Sequence, residues 1–345
     1  MSFISPTKAL FQQARVLLLG SGRMGHIRAK AIFANPRFDF AGVVDQNVDG
    51  AKQLADVYRT NHFASLTEAI QHNTTPLHGI IISTPTATHA PLISTAAANN
   101  ISIFTEKPVD ETSLQIQEIF NTVRNNNVAL CCGFQRRFDP SYVALYDAIK
   151  KGAVGTPLTS SIFFGDHPVP SRSFLLQGGG NIISDCSAHD IDYIRWVLND
   201  EVESVYAVGT SSDDELEEAG VIDNATVVMK FLKGAVVTLT LSRGANYGYD
   251  QRCEVFGTDG MASVENFAEN STVLSNVSGV HRPKWQHSFP QRFEAAFGYE
   301  LDAFADTLLL GKPWSVSEED CVAVQRVCDA ALESCERGQV VNLFA

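Results

Sequence analysis

Two short segments of this chain combine residue types that move protons and hold charge. The first is Glu106-Lys107-Pro108, directly after the apolar run Ile101-Ser102-Ile103-Phe104-Thr105. A lysine between a strand end and a proline sits on restricted backbone, because the proline ring limits the conformation of its predecessor. Its ammonium can stabilise negative charge developing on an oxygen, or it can be a surface lysine paired with Glu106. The second is Asp185-Cys186-Ser187-Ala188-His189-Asp190-Ile191-Asp192, preceded by Gly178-Gly179-Gly180. If Ser184 or Asp185 opens a helix, then Asp185, His189 and Asp192 share one face and Asp190 points elsewhere. A carboxylate one turn from a histidine orients the ring and raises its basicity, which suits a general base. Two other readings stand beside this one: acids favour helix N-termini, and a histidine with two aspartates can bind a metal.

Both segments need a scaffold, and the start of the chain supplies its plan. Val16-Leu17-Leu18-Leu19 runs into Gly20-Ser21-Gly22-Arg23-Met24-Gly25, a G-x-G-x-x-G turn. A helical pattern follows, with Ile27, Ala31 and Ile32 apolar and Arg28 and Lys30 between them. A second apolar run, Phe38 to Val44, ends at Asp45. Strand, glycines, helix, strand and acid in that order read as a dinucleotide fold. Gly20 permits the tight turn, Gly22 lets a pyrophosphate approach the backbone, and Gly25 lets the helix pack on the strand. The helix start offers a positive dipole end to phosphates. Asp45 would bind the adenosine ribose and oppose a 2′-phosphate, so NAD is expected over NADP.

Short apolar strands alternate with helices through about residue 134, which predicts a doubly wound parallel (Rossmann) sheet. Ligands bind beyond the carboxyl ends of such strands. That rule selects Asp45, Ser83-Thr84-Pro85 and the Glu106-Lys107 segment, alongside Arg23 and Met24 of the glycine turn. After a helix over 142–151 the pattern changes to runs at 157–164, 202–208, 225–232, 235–242 and 251–257. No regular helix is read between these later runs, so a second, α+β domain over 135–345 is expected, built on a large, mainly antiparallel open sheet. Lys233-Gly234 reads as its hairpin turn. The acidic stretch 211–218 reads as a solvated loop. Helices over 292–310 and 318–338 close the chain, and those over 140–151 and 292–310 are expected to cover one side of the second sheet.

Bulk composition narrows the partners. A net charge of −13 argues against nucleic acid or an anionic membrane. No apolar run reaches the ~20 residues of a membrane helix, and the start of the chain lacks a signal-peptide core. Seven cysteines without a C-x-x-C pair suggest neither a disulfide framework nor zinc. Cys321, Cys328 and Cys335 share one helix face and read as packing. A reducing cytoplasm is the expected compartment.

The glycine turn, Thr84-Pro85-Thr86-Ala87-Thr88-His89, Glu106-Lys107-Pro108 and Asp185-x-x-x-His189 together resemble the glucose–fructose oxidoreductase/inositol dehydrogenase (Gfo/Idh/MocA) family, over nearly the whole length. Gly133-Phe134-Gln135-Arg136-Arg137-Phe138-Asp139, the stretch Tyr247 to Gly257 and His189-Asp190-x-Asp192 look most like its inositol 2-dehydrogenase branch. The resemblance implies an NAD-dependent enzyme that oxidises a secondary hydroxyl of a cyclic polyol or sugar. Lys107 would contact the hydroxyl, His189 would take its proton and Asp185 would assist. Arg136, Asp192 and a tyrosine at Tyr247 or Tyr249 would hold the other hydroxyls, and His89 and Glu106 would join the cofactor site. The segment Phe164-Gly165-Asp166-His167-Pro168 departs from the usual inositol-enzyme pattern, and His167 is a further substrate candidate. No metal is needed, because Lys107 supplies the positive charge. The amine and the imidazole, one from each predicted domain, would have to meet over one nicotinamide ring. The resemblance also implies a homodimer or homotetramer through the second sheet. Relatives that use NAD in glycosidic cleavage, or that sense ligands without catalysis, are the alternatives.

Overall fold

The computed structural model of the chain describes residues 13–176 and 181–344; the opening segment and Gly178-Gly179-Gly180 lie outside them. The described chain divides into two compact units, residues 1–133 with 297–318, and residues 134–296 with 319–345. The boundary expected near residue 134 is thus only the first of three crossings.

In the first unit, β1 (Ala14–Leu19), α1 (Arg23–Ala34), β2 (Phe38–Val44) and α2 (Val48–Tyr58) follow the expected order. Next come β3 (Asn61–Phe63), α3 (Leu66–His72), β4 (Gly79–Ile82) and α4 (His89–Ala98). The set ends with β5 (Ser102–Glu106), α5 (Ser113–Asn125) and β6 (Leu130–Gly133). The six strands pair in parallel in the order β3-β2-β1-β4-β5-β6. Val16, Leu17, Leu18, Ile80, Ile81 and Ile82 are wholly buried, as strands covered by helices on both faces must be. Each contributes about 1.5–3 kcal/mol relative to an exposed side chain. The winding reverses between β1 and β4, which opens a crevice at their carboxyl ends. The strand β3 is too short and too polar to show in the sequence pattern.

The second unit opens with α6 (Pro140–Lys150), whose N-cap Asp139 accepts from the amides of Ser141 and Tyr142. Then follow β7 (Pro157–Gly165), α7 (Arg172–Leu176), α8 (Ile182–Asp185), α9 (Ser187–Leu198) and β8 (Val202–Thr210). The acidic stretch contains a short helix, α10 (Asp214–Glu218), where a plain loop was expected. Its cap Asp213 accepts from the Leu216 amide, and Arg172 pairs with Glu215 at 2.8 Å and with Asp213. Next are β9 (Asn224–Phe231), β10 (Val236–Ser242), β11 (Asp250–Gly257) and β12 (Met261–Val264). A small hairpin, β13 (Leu274–Asn276) with β14 (Gly279–His281), precedes α11 (Phe289–Arg292). After α12 (Glu294–Leu310) and α13 (Glu318–Arg337), β15 (Val341–Asn342) joins the sheet edge. The seven strands run β12-β11-β7-β10-β9-β8-β15. All pairs are antiparallel except β7 with β10.

Helix α12 goes elsewhere than the sequence suggested. Its apolar stripe, Leu301, Phe304 and Ala305, belongs to the core of the first unit with Phe38 and Phe104. Ring centroids of Phe304 lie 5.7 Å from Phe104 and 6.4 Å from Phe38. A stripe at positions i, i+3 and i+4 fixes which face is buried, but periodicity does not say against what. The second sheet instead buries one face with α9 and α13: the Ala207 amide donates to Ser334 Oγ at 2.9 Å.

Candidate functional site

Each unit places part of the candidate chemistry, beginning with the glycine turn. Gly20 has φ +106°, and a Cβ there would lie 2.6 Å from the Ser83 carbonyl oxygen. A Cβ on Gly25 would lie 2.1 Å from the Gly20 oxygen. Both positions therefore exclude side chains for internal reasons. Gly22 is different, since a Cβ there meets nothing within 4 Å. Gly22 also begins α1 without a side-chain cap, and the first turn, with Arg23 and Met24, holds no acid. Open space before an uncapped twelve-residue helix suits a pyrophosphate. Asp45, just past β2, braces this turn: one oxygen accepts from the Ser21 amide at 2.7 Å and the Ser21 hydroxyl at 2.8 Å. The other accepts from the Asn47 amide at 2.8 Å. A carboxylate has about four acceptor positions, so room remains for a ribose hydroxyl.

Beyond β4, the Ser83 hydroxyl is buried without a hydrogen-bond partner, a vacancy that a cofactor group can satisfy. Thr84 and Thr88 share a hydroxyl hydrogen bond of 2.6 Å across Pro85. His89 is 1% exposed, so it acts from beneath the crevice. Its ring nitrogens lie 3.0 Å from the Thr84 oxygen and 3.0 Å from the Pro108 oxygen. The histidine thereby ties the loop after β4 to the loop after β5.

Glu106, the last residue of β5, accepts from Arg28 Nε at 2.5 Å. Arg28 is fully buried, with its guanidinium 4.5 Å from the Phe104 ring centroid and 5.0 Å from that of Phe297. On its other side Nη1 lies 2.7 Å from Glu300 Oε2, also fully buried. That contact is an ion pair without an aligned hydrogen bond, and neither Glu300 oxygen has one. Burial, with the Glu106 charge adding to it against the pull of Arg28, pushes the Glu300 carboxyl up to about 7. Sequence reasoning missed this trio, and it set Arg28 on the polar side of α1. The signal was present: Gly25, Arg28, Ala29 and Ile32 form the buried stripe of that helix. Lys107, next to Glu106, is half-buried.

In the second unit, α8 ends at Asp185 and α9 begins at Ser187, with Cys186 between them at φ −87° and ψ −37°. That conformation is right-handed helical, so Asp185 and His189 stand one turn apart. The Phe134 ring meets His189 edge-on, with centroids 5.9 Å apart. The expected third member of this face is taken up by another partner. Asp192 is wholly buried and accepts from Arg137 Nε at 2.9 Å and Nη2 at 2.5 Å. Arg136 is likewise buried, pairing with Asp190 and donating to Gln251 Oε1 at 2.8 Å. Both were expected to face substrate hydroxyls; both instead neutralise a buried partner, as charges taken from water must. Burial holds the Asp190 and Asp192 carboxyls above their ordinary range against the pull of those arginines.

The carboxyl ends of the one parallel pair build the rest. Gly165 and Ser242 are register partners, so Asp166 and Arg243 leave β7 and β10 side by side. Buried Arg243 donates to Asp185 at 2.6 Å and stands 3.5 Å from Asp166. No sequence pattern linked these three residues. His167, next in the chain, meets His287 edge-on at 5.1 Å. Asp250 is the register partner of Gly165 on the other side, and Tyr247 donates to it at 2.8 Å. Partial burial, then that hydrogen bond, push the Tyr247 hydroxyl up to about 12. It stays a donor at neutral pH. Tyr249 is buried, 5.8 Å from Phe164 between ring centroids. Among the described residues, no cluster of three or more His, Cys, Asp or Glu is arranged to hold a metal.

Residues 14–134 match the oxidoreductase family with the NAD-binding Rossmann fold, and residues 142–263 match the GFO/IDH/MocA C-terminal domain. The chain is 32% identical over 327 residues to an inositol 2-dehydrogenase of Rhizobium meliloti, covering 94% of this chain and 98% of that one. It is 31% identical to the scyllo-inositol 2-dehydrogenase (NAD(+)) of Bacillus subtilis, covering 96% of each. A crystal structure of a myo-inositol dehydrogenase from Corynebacterium glutamicum superposes with a TM-score of 0.90 at 30% identity, over 96% of this chain and 99% of that one.

Proposed function

Because the chain belongs to the Gfo/Idh/MocA family of NAD-binding oxidoreductases, we propose that it oxidises a secondary hydroxyl of a cyclic polyol of the inositol class. The observation that carries this reading is the pair Asp185 and His189, one helical turn apart, with Asp185 fixed by Arg243. The similarity to several inositol dehydrogenases supports the substrate class.

The glycine turn, Asp45 and the orphaned Ser83 hydroxyl fit NAD, which would supply the hydride acceptor at C4 of its nicotinamide. Asp45 orders the turn and faces the ribose. His189 accepts the hydroxyl proton, and Asp185 steadies the developing imidazolium. Lys107 presents a fixed positive charge to the alkoxide, so it acts most strongly in the transition state. His167 and Tyr247, at the sheet end, offer hydrogen bonds to the remaining hydroxyls. The experiment is a spectrophotometric screen of inositols, sugars and sugar acids with NAD and NADP. NADH formation with an inositol is expected. Reduction by none of these compounds would overturn the proposal.

The second sheet suggests the assembly. Tyr206, Val208, Val236, Phe256 and Met261 are exposed on one face, where their register partners are Val228, Thr226, Thr159 and Lys230, with Phe256 and Met261 opposite each other. A second copy presenting the same face would bury it. A homodimer by light scattering is expected, and Val236→Lys should yield monomer. Every cysteine is a free thiol, which supports a reducing, cytoplasmic setting; no described helix is long and apolar enough to cross a membrane.

A further inference from the structure

We infer that Arg28 and Glu300 are a positioning pair for Glu106: Arg28 fixes the carboxylate that faces the cofactor, and Glu300 behind it sets how much of the guanidinium charge Glu106 receives. The inference rests on the reading of Glu106 as a cofactor-facing group.

The geometry is a single cation between two carboxylates. Arg28 Nε serves Glu106 at 2.5 Å, and Nη1 faces Glu300 at 2.7 Å. Aromatic rings at 4.5 and 5.0 Å hold the guanidinium in place. The Glu106 side chain keeps 15% exposure, while Arg28 and Glu300 have none. Glu106 is therefore the only member that can reach a ligand. With Glu300 protonated, the trio is neutral and Arg28 belongs to Glu106. With Glu300 ionised, the trio carries one net negative charge and the cation is divided. An added negative charge in a poorly screened interior opposes an anionic dinucleotide.

Three groups bear on Glu300: Arg28 from α1, Glu106 from β5 and Cys131 from β6. Arginine stays charged throughout, and burial holds the Cys131 thiol well above its ordinary range. The carboxyl of Glu300, pushed up to about 7, is the member that changes state near neutrality.

The test is NADH binding to the full chain by fluorescence from pH 6 to 8.5, without any polyol. Failure of the polyol reading therefore leaves this measurement standing. The wild-type Kd should rise about three- to tenfold over that range, and Glu300→Gln should hold the low-pH affinity throughout. Glu106→Gln should weaken binding and abolish the dependence. Arg28→Lys should weaken binding at every pH, since it keeps the charge but loses the fork. A Glu300→Gln variant that retains the wild-type rise overturns the inference, as does an unchanged Kd in Glu106→Gln. If Arg28→Lys fails to fold by circular dichroism, the comparison of wild type with Glu300→Gln decides, because glutamine keeps the shape.

Discussion

Arg243 donates to Asp185 at 2.6 Å while standing 3.5 Å from Asp166, so one buried guanidinium joins the end of a strand pair to the short helix that leads into the histidine helix. Arg243→Met should remove this hydrogen bond to Asp185 and lower kcat by about 10²-fold, the typical cost of a small misplacement near the chemistry. NADH affinity should stay unchanged. Arg243→Lys should restore part of the turnover, because it returns the charge without the two-pronged geometry. Equal turnover in all three proteins would remove Arg243 from the site.

His189→Ala should reduce kcat by about 10²–10⁴-fold, as loss of a general base does. Lys107→Met should lower kcat by at least about 10²-fold. NADH titration should show both variants still loading cofactor. Turnover near wild type in the alanine variant would reassign the base.

Glu300 also links stability to pH. Its carboxyl is pushed up to about 7 in the folded chain, from an ordinary value of 4.5. The folded state then holds an extra proton between those values. The associated stability is complete below 4.5 and lost as pH rises through 7, a difference of order 3 kcal/mol. Urea midpoints at pH 5 and pH 8 should therefore differ less in Glu300→Gln than in wild type. Parallel shifts in the two proteins would mean that another group is responsible.

His89→Leu should cost about 1 kcal/mol, since it removes the ring that links the part-buried carbonyls of Thr84 and Pro108. Thermal melting measures that loss. NADH Kd should rise as well, because both loops border the crevice. A variant that melts lower yet binds NADH normally would confine His89 to stability.

Asp45 should make the chain prefer NAD(H). Asp45→Ser should narrow the ratio of NADP(H) to NAD(H) affinity, and competitive titration with both nucleotides reads it. A wild-type preference for NADP(H) would overturn the role of Asp45.

Local features were legible in the sequence. The path from Val16 through the glycines to Asp45 is contiguous, and each residue's duty follows from its neighbours. Lys233-Gly234 was equally plain, with Gly234 at φ +101° in the hairpin. Distant pairings were not legible. Arg28, Glu106 and Glu300 lie far apart in the chain, and periodicity marks a buried position without naming its partner. Asp192 fell on the expected face of its helix, yet Arg137 holds it because every side of that helix is packed. The parallel pairing of β7 with β10 escaped too, since no strand pattern encodes which neighbour it takes.

The contribution of Leu301, Phe304 and Ala305 to the core of the first unit bears on how the polypeptide matures. A nascent chain that has emerged only to Gly133 would display Phe38 and Phe104 without their cover and Arg28 without Glu300. Completion of the nucleotide half must then await synthesis of the stretch ending near Glu318, long after Gly133. A truncation at the apparent domain border should accordingly give an aggregating fragment, not a miniature NAD-binding protein.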